Sequence, residues 1–385
     1  MATCGLAIGA DEVYEAVEEV IRERKLNILL VKTGCLGFCQ KEPIMDVLAP
    51  GMPRLIYMQM TPERAVKVVE AIARNEVRRD YLLCKLEEEE LMIDGSIRRY
   101  ELSASNNKLE DIPTYQQVPF FAKQMRIVLR NCGFINPESM EEYIARGGYR
   151  SLYKALTSFS PEEVIEQVKR SGLRGRGGAG FPTGMKWEFT RKAKGEPKYV
   201  VCNADEGDPG AYMDRAVLEG DPHSVIEGML IGAYAIGASK GYIYVRTEYP
   251  LAIERLKMAI GQARRYGLLG ENIFGTDFNF DIEIREGSGA FVCGEETSLI
   301  HSIEGEPPEP RQRPPFPAQE GLWRKPTNIN NVETWANIPV IIARGAEWFS
   351  QFGTEKSKGT KVFSLVGKVN NTGLVEVPMG ITLRE

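Results

Sequence analysis

The chain has 385 residues, of which 43% are apolar and 26% are charged, and its formal net charge is −5 at pH 7. This length predicts two or three domains, and the acidic balance argues against nucleic acid as a partner. The lack of any run of about 18 apolar residues argues against a membrane span, and seven scattered cysteines without a secretory signal predict a cytoplasmic location.

The first 84 residues predict a small α/β domain. Apolar periodicity and turn residues indicate, in chain order, a helix at 11–25, a buried strand at 27–32, a strand at 53–58 and a helix at 60–74. Asp11 is expected to cap the first helix, and Thr61 the second, which has Pro62 at its first position. Cys35 and Cys39 lie in the loop between the two strands.

A polar, charged stretch at 85–119 is expected to be a linker, followed by a second domain at 120–345. Strands and helices alternate in that domain: a helix at 160–172, a strand at 198–203, a helix at 223–238, a strand at 241–246, a helix at 251–267 and a strand at 280–286. This alternation predicts an α/β fold with a mostly parallel sheet. Residues 346–385 indicate a β-rich piece that stops before a domain is complete.

A glycine-rich stretch at 171–187, SGLRGRGGAGFPTGMKW, is the most informative motif. It contains G-x-G-x-x-G, but a helix precedes it where a dinucleotide fingerprint requires a strand. It is not a phosphate-binding Walker A loop either, because Met185 separates Gly184 from Lys186. A surface turn explains one or two glycines, whereas six glycines with Arg174, Arg176 and Lys186 favour a cradle for an anionic ligand.

Three further stretches carry polar side chains. CNADEGDPGAYMDR follows a predicted strand, where α/β proteins place ligand-binding residues. GSGAFVCGEETSL places glycines beside two glutamates, and a proline-rich stretch ends in NINNVET, whose asparagines suit a flavin because they donate and accept hydrogen bonds. For each acidic cluster alone, a solvated turn or a helix N-terminus is an equal alternative.

Together these motifs resemble the flavin-bearing subunit of respiratory NADH dehydrogenase (complex I) and its relatives in soluble NAD-linked hydrogenases and formate dehydrogenases. The likeness covers about residues 120–385, and residues 1–84 resemble a thioredoxin-like 2Fe–2S ferredoxin domain. The resemblance implies a Rossmann-like FMN- and NADH-binding domain at 120–345. It also implies that 346–385 begin a β-grasp (ubiquitin-like), soluble-ligand-binding domain that is truncated.

The resemblance implies specific site residues. Those expected to bind FMN are Gly175, Arg176, Gly177, Gly178, Lys186, Asn203, Asp205, Glu206, Gly294, Glu295, Asn330, Asn331 and Thr334. Those expected to bind NADH are Phe181, Phe189, Asp208, Glu296 and Phe316. Glu206 and Glu296 are the catalytic candidates. Acidic residues accept hydrogen bonds from ribose hydroxyls and repel a 2′-phosphate, so NADH is expected over NADPH.

The implied activity is an NADH:acceptor oxidoreductase that passes single electrons to clusters of a small 2Fe–2S subunit and of a larger iron–sulfur or hydrogenase subunit. Electron bifurcation stays open. Cys4, Cys35 and Cys39 are candidate 2Fe–2S ligands, one fewer than such a cluster needs, and a cluster-free docking domain is the alternative. The family's 4Fe–4S cluster is expected in a missing C-terminal domain.

Two departures from the family pattern stand inside the site: Phe291 replaces a frequent Tyr, and Asp208 replaces a frequent Glu. The missing cluster domain and the incomplete cysteine set leave a second hypothesis open. In that hypothesis the chain is a catalytically impaired structural or assembly subunit of such a complex.

Overall fold

The computed structural model describes residues 1–100 and 109–385. The N-terminal region contains helices α1 (Thr3–Leu6), α2 (Ala10–Glu23) and α3 (Pro62–Ala73) and strands β1 (Met45–Val47), β2 (Arg54–Tyr57) and β3 (Leu82–Leu86). The strands form one antiparallel sheet in the order β1-β2-β3. The apolar faces of α2 and α3 pack on this sheet through Val17, Val68, Leu55 and Tyr57, all at most 2% exposed.

Three expectations for this region have different outcomes. The helix starting at Pro62 is confirmed, and the Thr61 side chain accepts from the Arg64 amide. The cap assigned to Asp11 is wrong, because α2 begins at Ala10 after Gly9, whose positive φ of 90° starts the helix. The strand predicted at 27–32 is also wrong: the segment pairs with no strand of the described chain, and Leu29 is 88% exposed.

The segment 85–119, expected to be a linker, contains secondary structure, and its residues 101–108 lie outside the described chain. Strands β4 (Glu88–Glu90) and β5 (Ile97–Arg99) form an antiparallel hairpin within it. Glu89 is buried and pairs with Arg146 Nη1 at 3.1 Å. The side chains of Glu88–Glu90 therefore alternate between the two faces of a strand, and the buried one, Glu89, pairs with Arg146 of the central region.

The central region contains most of the secondary structure. Its elements are α4 (Pro119–Ala122), α5 (Met140–Ala145), α6 (Arg150–Ser158), α7 (Pro161–Arg170), α8 (Thr183–Lys192), β6 (Tyr199–Ala204), α9 (Met213–Gly220), α10 (Pro222–Ile236), β7 (Lys240–Arg246), α11 (Pro250–Arg265), β8 (Asp281–Gly287), α12 (Glu296–Glu304), β9 (Thr327–Asn331), α13 (Val332–Arg344) and α14 (Ala346–Ser350). The strands form a parallel sheet in the order β8-β7-β6-β9, which confirms the α/β prediction.

Helices cover both faces of this sheet. Val200 and Cys202 point into a large core with α10, α11 and α13, while Val201 points into a smaller core with α12. Burial on both faces explains the near-continuous apolar runs of β6 and β7. The carboxyl ends of all four strands therefore meet at one edge, where open α/β sheets bind ligands.

Strands β10 (Thr360–Leu365) and β11 (Gly373–Pro378) form an antiparallel hairpin after α14. Val362 and Leu374 belong to the large core of the central region. The fully buried Glu376 accepts hydrogen bonds from the Val128 and Leu129 amides, both at 2.9 Å. These hydrogen bonds attach the hairpin to the central region.

Among the described residues, the helices are too short or too polar to span a membrane.

Candidate functional site

The candidate site lies at the carboxyl ends of the adjacent parallel strands β6 and β9. Asn203 and Asn331 are register partners there, so the two motifs that contain them meet. The glycine-rich loop between α7 and α8 reaches the same edge, because the Arg176 amide donates to Thr334 Oγ1 at 2.9 Å. Three stretches that are far apart in sequence are thus brought together.

The loop follows a helix with complete capping. Ser160 and Glu163 form a capping box at the start of α7, and Gly172 adopts a positive φ of 68° just beyond its end, as predicted. Within the loop, Gly177 lies so close to the next motif that a Cβ would stand 3.1 Å from Asn331 Cβ. Gly178 has a φ of 108° and faces open space. The backbone here therefore turns and approaches its neighbour in ways that favour glycine.

Arg176 does not face the open side of this loop. Its guanidinium donates to the carbonyls of Thr360, Lys358 and Arg174 at 2.9, 2.6 and 2.8 Å, and the residue is 6% exposed. Burial lowers the pKa of this group. In this structure its side chain ties the loop to the C-terminal hairpin, which leaves the loop's backbone amides to meet an anion.

Four charged side chains form a chain across the site. Lys186 Nζ donates to Glu296 Oε2 at 2.7 Å. Arg313 donates one arm to Glu296 and the other to Glu295, both at 3.1 Å. Sequence reasoning missed Arg313, although its position within the proline-rich stretch RQRPPFP was a usable signal. The three predicted residues are thus assembled around a fourth.

Two predicted acids cap helices. The Glu206 carboxylate accepts from the Met213, Asp214 and Arg215 amides at the start of α9, at 2.8, 3.2 and 3.1 Å. Burial raises the pKa of Glu206, and these amide hydrogen bonds oppose the rise. Glu295 Oε2 accepts from the Thr297 and Ser298 amides at 2.8 and 3.0 Å. The helix N-terminus interpretation therefore accounts for both carboxylates.

Hydrogen bonds hold the predicted asparagines in place. Asn203 donates to the Gly294 carbonyl at 2.9 Å and accepts from the Asp205 amide at 3.0 Å. Asn330 accepts from Trp187 Nε1 at 2.9 Å, and Asn331 donates to Asp214 at 2.6 Å. These bonds fix Gly294 and the two strand ends relative to one another.

The residues predicted to bind NADH are largely exposed. Phe181 and Phe189 are both about half exposed, with ring centroids 6.4 Å apart, and Phe316 and Asp208 are also exposed. Phe291, which stands where the family often has Tyr, is 65% exposed. Exposed aromatic rings beside a loop of backbone donors provide stacking surfaces for a planar ligand.

Two of the three candidate metal ligands, Cys35 and Cys39, form a separate cluster with Glu42. One ligand atom of each of these three residues lies within 4.8 Å of the others. Cys39 lies 3.4 Å from the Tyr212 hydroxyl. A hydrogen bond with Cys39, together with burial, raises the pKa of the Cys4 thiol. Sulfur-rich ligand sets suit thiolate-bound metals and iron–sulfur clusters.

The site fits FMN in two respects. A side chain at position 177 would collide with Asn331 and narrow the space beside the glycine-rich loop. The space beside Gly178 is open, so an anion can approach the backbone amide there. The Asp205 side chain is 1% exposed, so water cannot pair with it, and its Oδ2 has no hydrogen-bond partner among the described residues. A buried, unpaired carboxylate oxygen at a cleft is a binding position for a ligand donor.

Comparison with known proteins agrees with this geometry. Residues 168–340 match the family described as the Nuo51 FMN-binding domain. The chain is 67% identical over 263 residues to the NADP-reducing hydrogenase subunit HndC of Solidesulfovibrio fructosivorans, covering 68% of this chain and 53% of that one. It is 52% identical over 259 residues to the F 2 subunit of the NADH-quinone oxidoreductase of Rhizobium meliloti (strain 1021), covering 67% and 62%.

A crystal structure of an NAD+-reducing nickel–iron hydrogenase in the H2-reduced state is also similar, with a TM-score of 0.59 and 29% identity. The match covers 86% of this chain and 50% of that one. The chain therefore spans between half and two thirds of the length of these relatives.

Proposed function

We propose that this chain is an FMN-dependent NADH:acceptor oxidoreductase subunit of a larger complex, because residues 168–340 match the Nuo51 FMN-binding domain family. The observation that carries the proposal is the convergence of the glycine-rich loop, Asn331 and Asn203 at the carboxyl edge of the parallel sheet. No feature found in residues 1–100 and 109–385 favours the alternative of a purely structural subunit.

In this proposal the backbone amides of Gly177 and Gly178 and the Lys186 ammonium bind the FMN phosphate, because the Gly175 and Arg176 amides already donate to the Phe181 carbonyl and to Thr334 Oγ1. The Lys186 ammonium donates to the Glu296 carboxylate at 2.7 Å, so its charge is already neutralised. When the phosphate binds, it takes the place of this carboxylate as the partner of Lys186. Asp205, Gly294 and Asn330 line the rest of the flavin position. The Arg176 side chain stabilises the loop by donating to three backbone carbonyls.

The second substrate in the proposal is NADH. FMN, when bound, accepts a hydride directly, so the protein need not supply an acid or a base. Phe181, Phe189 and Phe316 provide apolar faces for the dinucleotide, and they exclude water from the reacting rings. Asp208 and Glu296 accept from its ribose hydroxyls and disfavour a 2′-phosphate.

We also propose that residues 1–84 are a thioredoxin-like domain and that 346–385 begin a β-grasp domain. The antiparallel sheet with two packed helices and the β10–β11 hairpin support these assignments. Cys4, Cys35 and Cys39 are proposed ligands of a 2Fe–2S cluster, and Glu42 supplies a nearby carboxylate. The proposed partners carry further iron–sulfur centres, and the proposed location is the cytoplasm, as the scattered free cysteines suggest.

The test is flavin binding by the purified chain. Binding to the chain should quench the fluorescence of added FMN. Lys186→Ala removes a charge-assisted contact and Gly177→Val fills the cradle, so each should weaken FMN binding roughly tenfold or more. Lys194→Ala, in the exposed turn after α8, is the matched control. Equal FMN affinity in the parent and in both site variants would refute the assignment.

Turnover is measured in the same preparation. The FMN-loaded chain should reduce ferricyanide with NADH, and NADPH should be a poor donor because of the acidic residues at the ribose. Equal rates with NADPH would remove the role assigned to Asp208 and Glu296 but leave the flavin assignment standing.

A further inference from the structure

The end of strand β7 places an arginine against the candidate site that the motifs did not include. Ala204 of β6 and Val245 of β7 are register partners in the parallel sheet, so the residues that follow them, Asp205 and Arg246, lie at the same level. Successive side chains of a strand alternate between faces, so the two residues point to the same side. The topology thus requires Arg246 to face Asp205.

The two side chains are close but do not complete a hydrogen bond. Arg246 Nη1 lies 3.7 Å from Asp205 Oδ1, and Arg246 Nη2 instead donates to Glu248 at 3.0 Å. Neither Arg246 Nη1 nor Asp205 Oδ2 has a hydrogen-bond partner within the described parts of the chain. The Asp205 side chain is 1% exposed and that of Arg246 is 14% exposed. One donor and one acceptor are therefore withdrawn from water without being satisfied.

Two glycines border the unpaired donor and acceptor. A Cβ on Gly207 would stand 2.8 Å from Arg246 Nη1, and a Cβ on Gly294 would stand 3.9 Å from Asp205 Oδ2. Glycine at 207 therefore lets the guanidinium lie close to the backbone, and Gly294 borders the carboxylate. The Phe291 ring also borders Gly207 and is largely exposed.

We propose that Arg246 and Asp205 together bind one hydroxyl group of a sugar or sugar-alcohol chain of the ligand, the hydroxyl donating to Asp205 Oδ2 and accepting from Arg246 Nη1. A hydroxyl is the group that suits this pair, because it has one donor and two acceptor lone pairs. A phosphate would meet the Asp205 carboxylate with like charge, and an apolar ring edge would leave both atoms unsatisfied.

This inference rests on the proposed function and adds a residue to it. Two parts of the proposed ligands carry such hydroxyls: the ribityl chain of FMN and the ribose of NADH. Burial raises the pKa of Asp205 to about 6, and Arg246 opposes that rise, so the arginine also keeps the carboxylate able to accept at neutral pH.

The experiment compares the parent chain with Arg246→Met, which keeps length and removes every donor. Binding of FMN, riboflavin and lumiflavin, which has a methyl group in place of the ribityl chain, is followed by fluorescence, and KM and kcat are measured with NADH. Arg264→Met is the control, because Arg264 forms an Arg–Asp pair with Asp281 at the opposite end of the sheet. Arg246→Lys tests whether a charge at this place restores the affinity.

If the hydroxyl belongs to the flavin, Arg246→Met should weaken FMN and riboflavin roughly ten- to a hundredfold and leave lumiflavin unchanged. If it belongs to the nucleotide, flavin affinities should stay unchanged and KM for NADH should rise by a similar factor. Equal weakening of all three flavins, or no change in any constant, would overturn the inference. Failure of the parent to bind FMN would instead refute the proposed function, and this inference with it.

Discussion

At the scale of single residues, the predicted anion-binding lysine is already neutralised. Lys186 pairs with Glu296, which also accepts from Arg313. An incoming phosphate must therefore replace a carboxylate, and the released Glu296 remains held by Arg313. This exchange lowers affinity for simple anions and favours a ligand that also contacts the rest of the site.

A buried histidine gives the fold a defined pH dependence. His223 is 2% exposed, Tyr149 Oη lies 2.8 Å from its Nδ1, and Gln262 Oε1 lies 3.0 Å from its Nε2. Burial lowers the pKa of His223 to about 4 from an ordinary value of 6.5. Its neutral form thus stabilises the native state above pH 6.5, and that contribution is lost as the pH falls from 6.5 through about 4.

We expect the free energy of unfolding to fall by on the order of 3 kcal/mol across this interval through His223 alone. Urea denaturation at a series of pH values measures it. In His223→Gln the slope between pH 6.5 and 4 should be reduced. An unchanged slope in His223→Gln would contradict the assignment.

At the scale of elements, helix α9 connects the two candidate centres. Its first amides are capped by Glu206, and Asp214 on it accepts from Asn331 of the candidate site. On its other side, Arg215 donates to Cys4 at 3.6 Å, and the Tyr212 hydroxyl, at its N-terminus, meets Cys39. One short helix therefore fixes the thiol cluster relative to the flavin position.

This arrangement depends on a close contact between two glycines. A Cβ on Gly34 would stand 2.6 Å from Gly220 Cα at the end of α9, and backbone cannot yield as a flexible side chain can. We expect Gly34→Ala to destabilise the docked N-terminal region by about 1–3 kcal/mol. Faster alkylation of Cys39 by iodoacetamide, followed by mass spectrometry, measures the separation.

Gly261→Ala is the matched control. Gly261 lies within α11 and has nothing within 4 Å of an added Cβ, so alanine should be neutral or slightly stabilising there. Alkylation of Cys39 at the parent rate in Gly34→Ala would contradict the expected separation of the loop from α9.

Sequence alone could predict the elements whose signals are local. The capping residues Ser160 and Thr61 and the apolar runs of β6 and β7 each fix their element through neighbours in the chain. The segment 27–32 had an equally apolar run, but a strand also needs a partner, and pairing is set by the tertiary structure. The polar hairpin β4–β5 was missed for the converse reason: its partner for Glu89 is the distant Arg146.

The same distinction applies to the site. The motifs indicated which residues gather, because strand ends of a parallel sheet share an edge. They could not indicate where each side chain points. Arg176 turns to the carbonyls of Thr360 and Lys358, about 180 residues further along the chain, and Arg246 enters through sheet register alone.

At the scale of the whole molecule, the C-terminal hairpin is part of the central core. Glu376 accepts from the Val128 and Leu129 amides, and Arg176 donates to Thr360. The glycine-rich loop is therefore held by two elements: the Arg176 amide donates to Thr334 of α13, and the Arg176 side chain donates to Thr360 of the hairpin. A loop supported in this way is preorganised for its ligand.

The remaining question at this scale is how electrons leave. A hydride brings two electrons at once, whereas iron–sulfur centres accept one each. Within the described residues, Cys35 and Cys39 group with Glu42 near α9, and the sequence contains no C-x-x-C run. We therefore expect the physiological path to use clusters of neighbouring subunits.

We expect the purified 385-residue chain, loaded with FMN, to reduce ferricyanide with NADH but not to reduce ferredoxin. Ferricyanide takes electrons at an exposed flavin edge, whereas a protein acceptor needs a one-electron centre placed at its docking surface. Co-purification from native extract should recover iron-containing partners, and their addition should confer ferredoxin reduction. Iron analysis and both reduction assays are run on the same sample. Rapid ferredoxin reduction by the chain alone, with no iron detected, would mean that the flavin site itself delivers single electrons and that the partner clusters are not required.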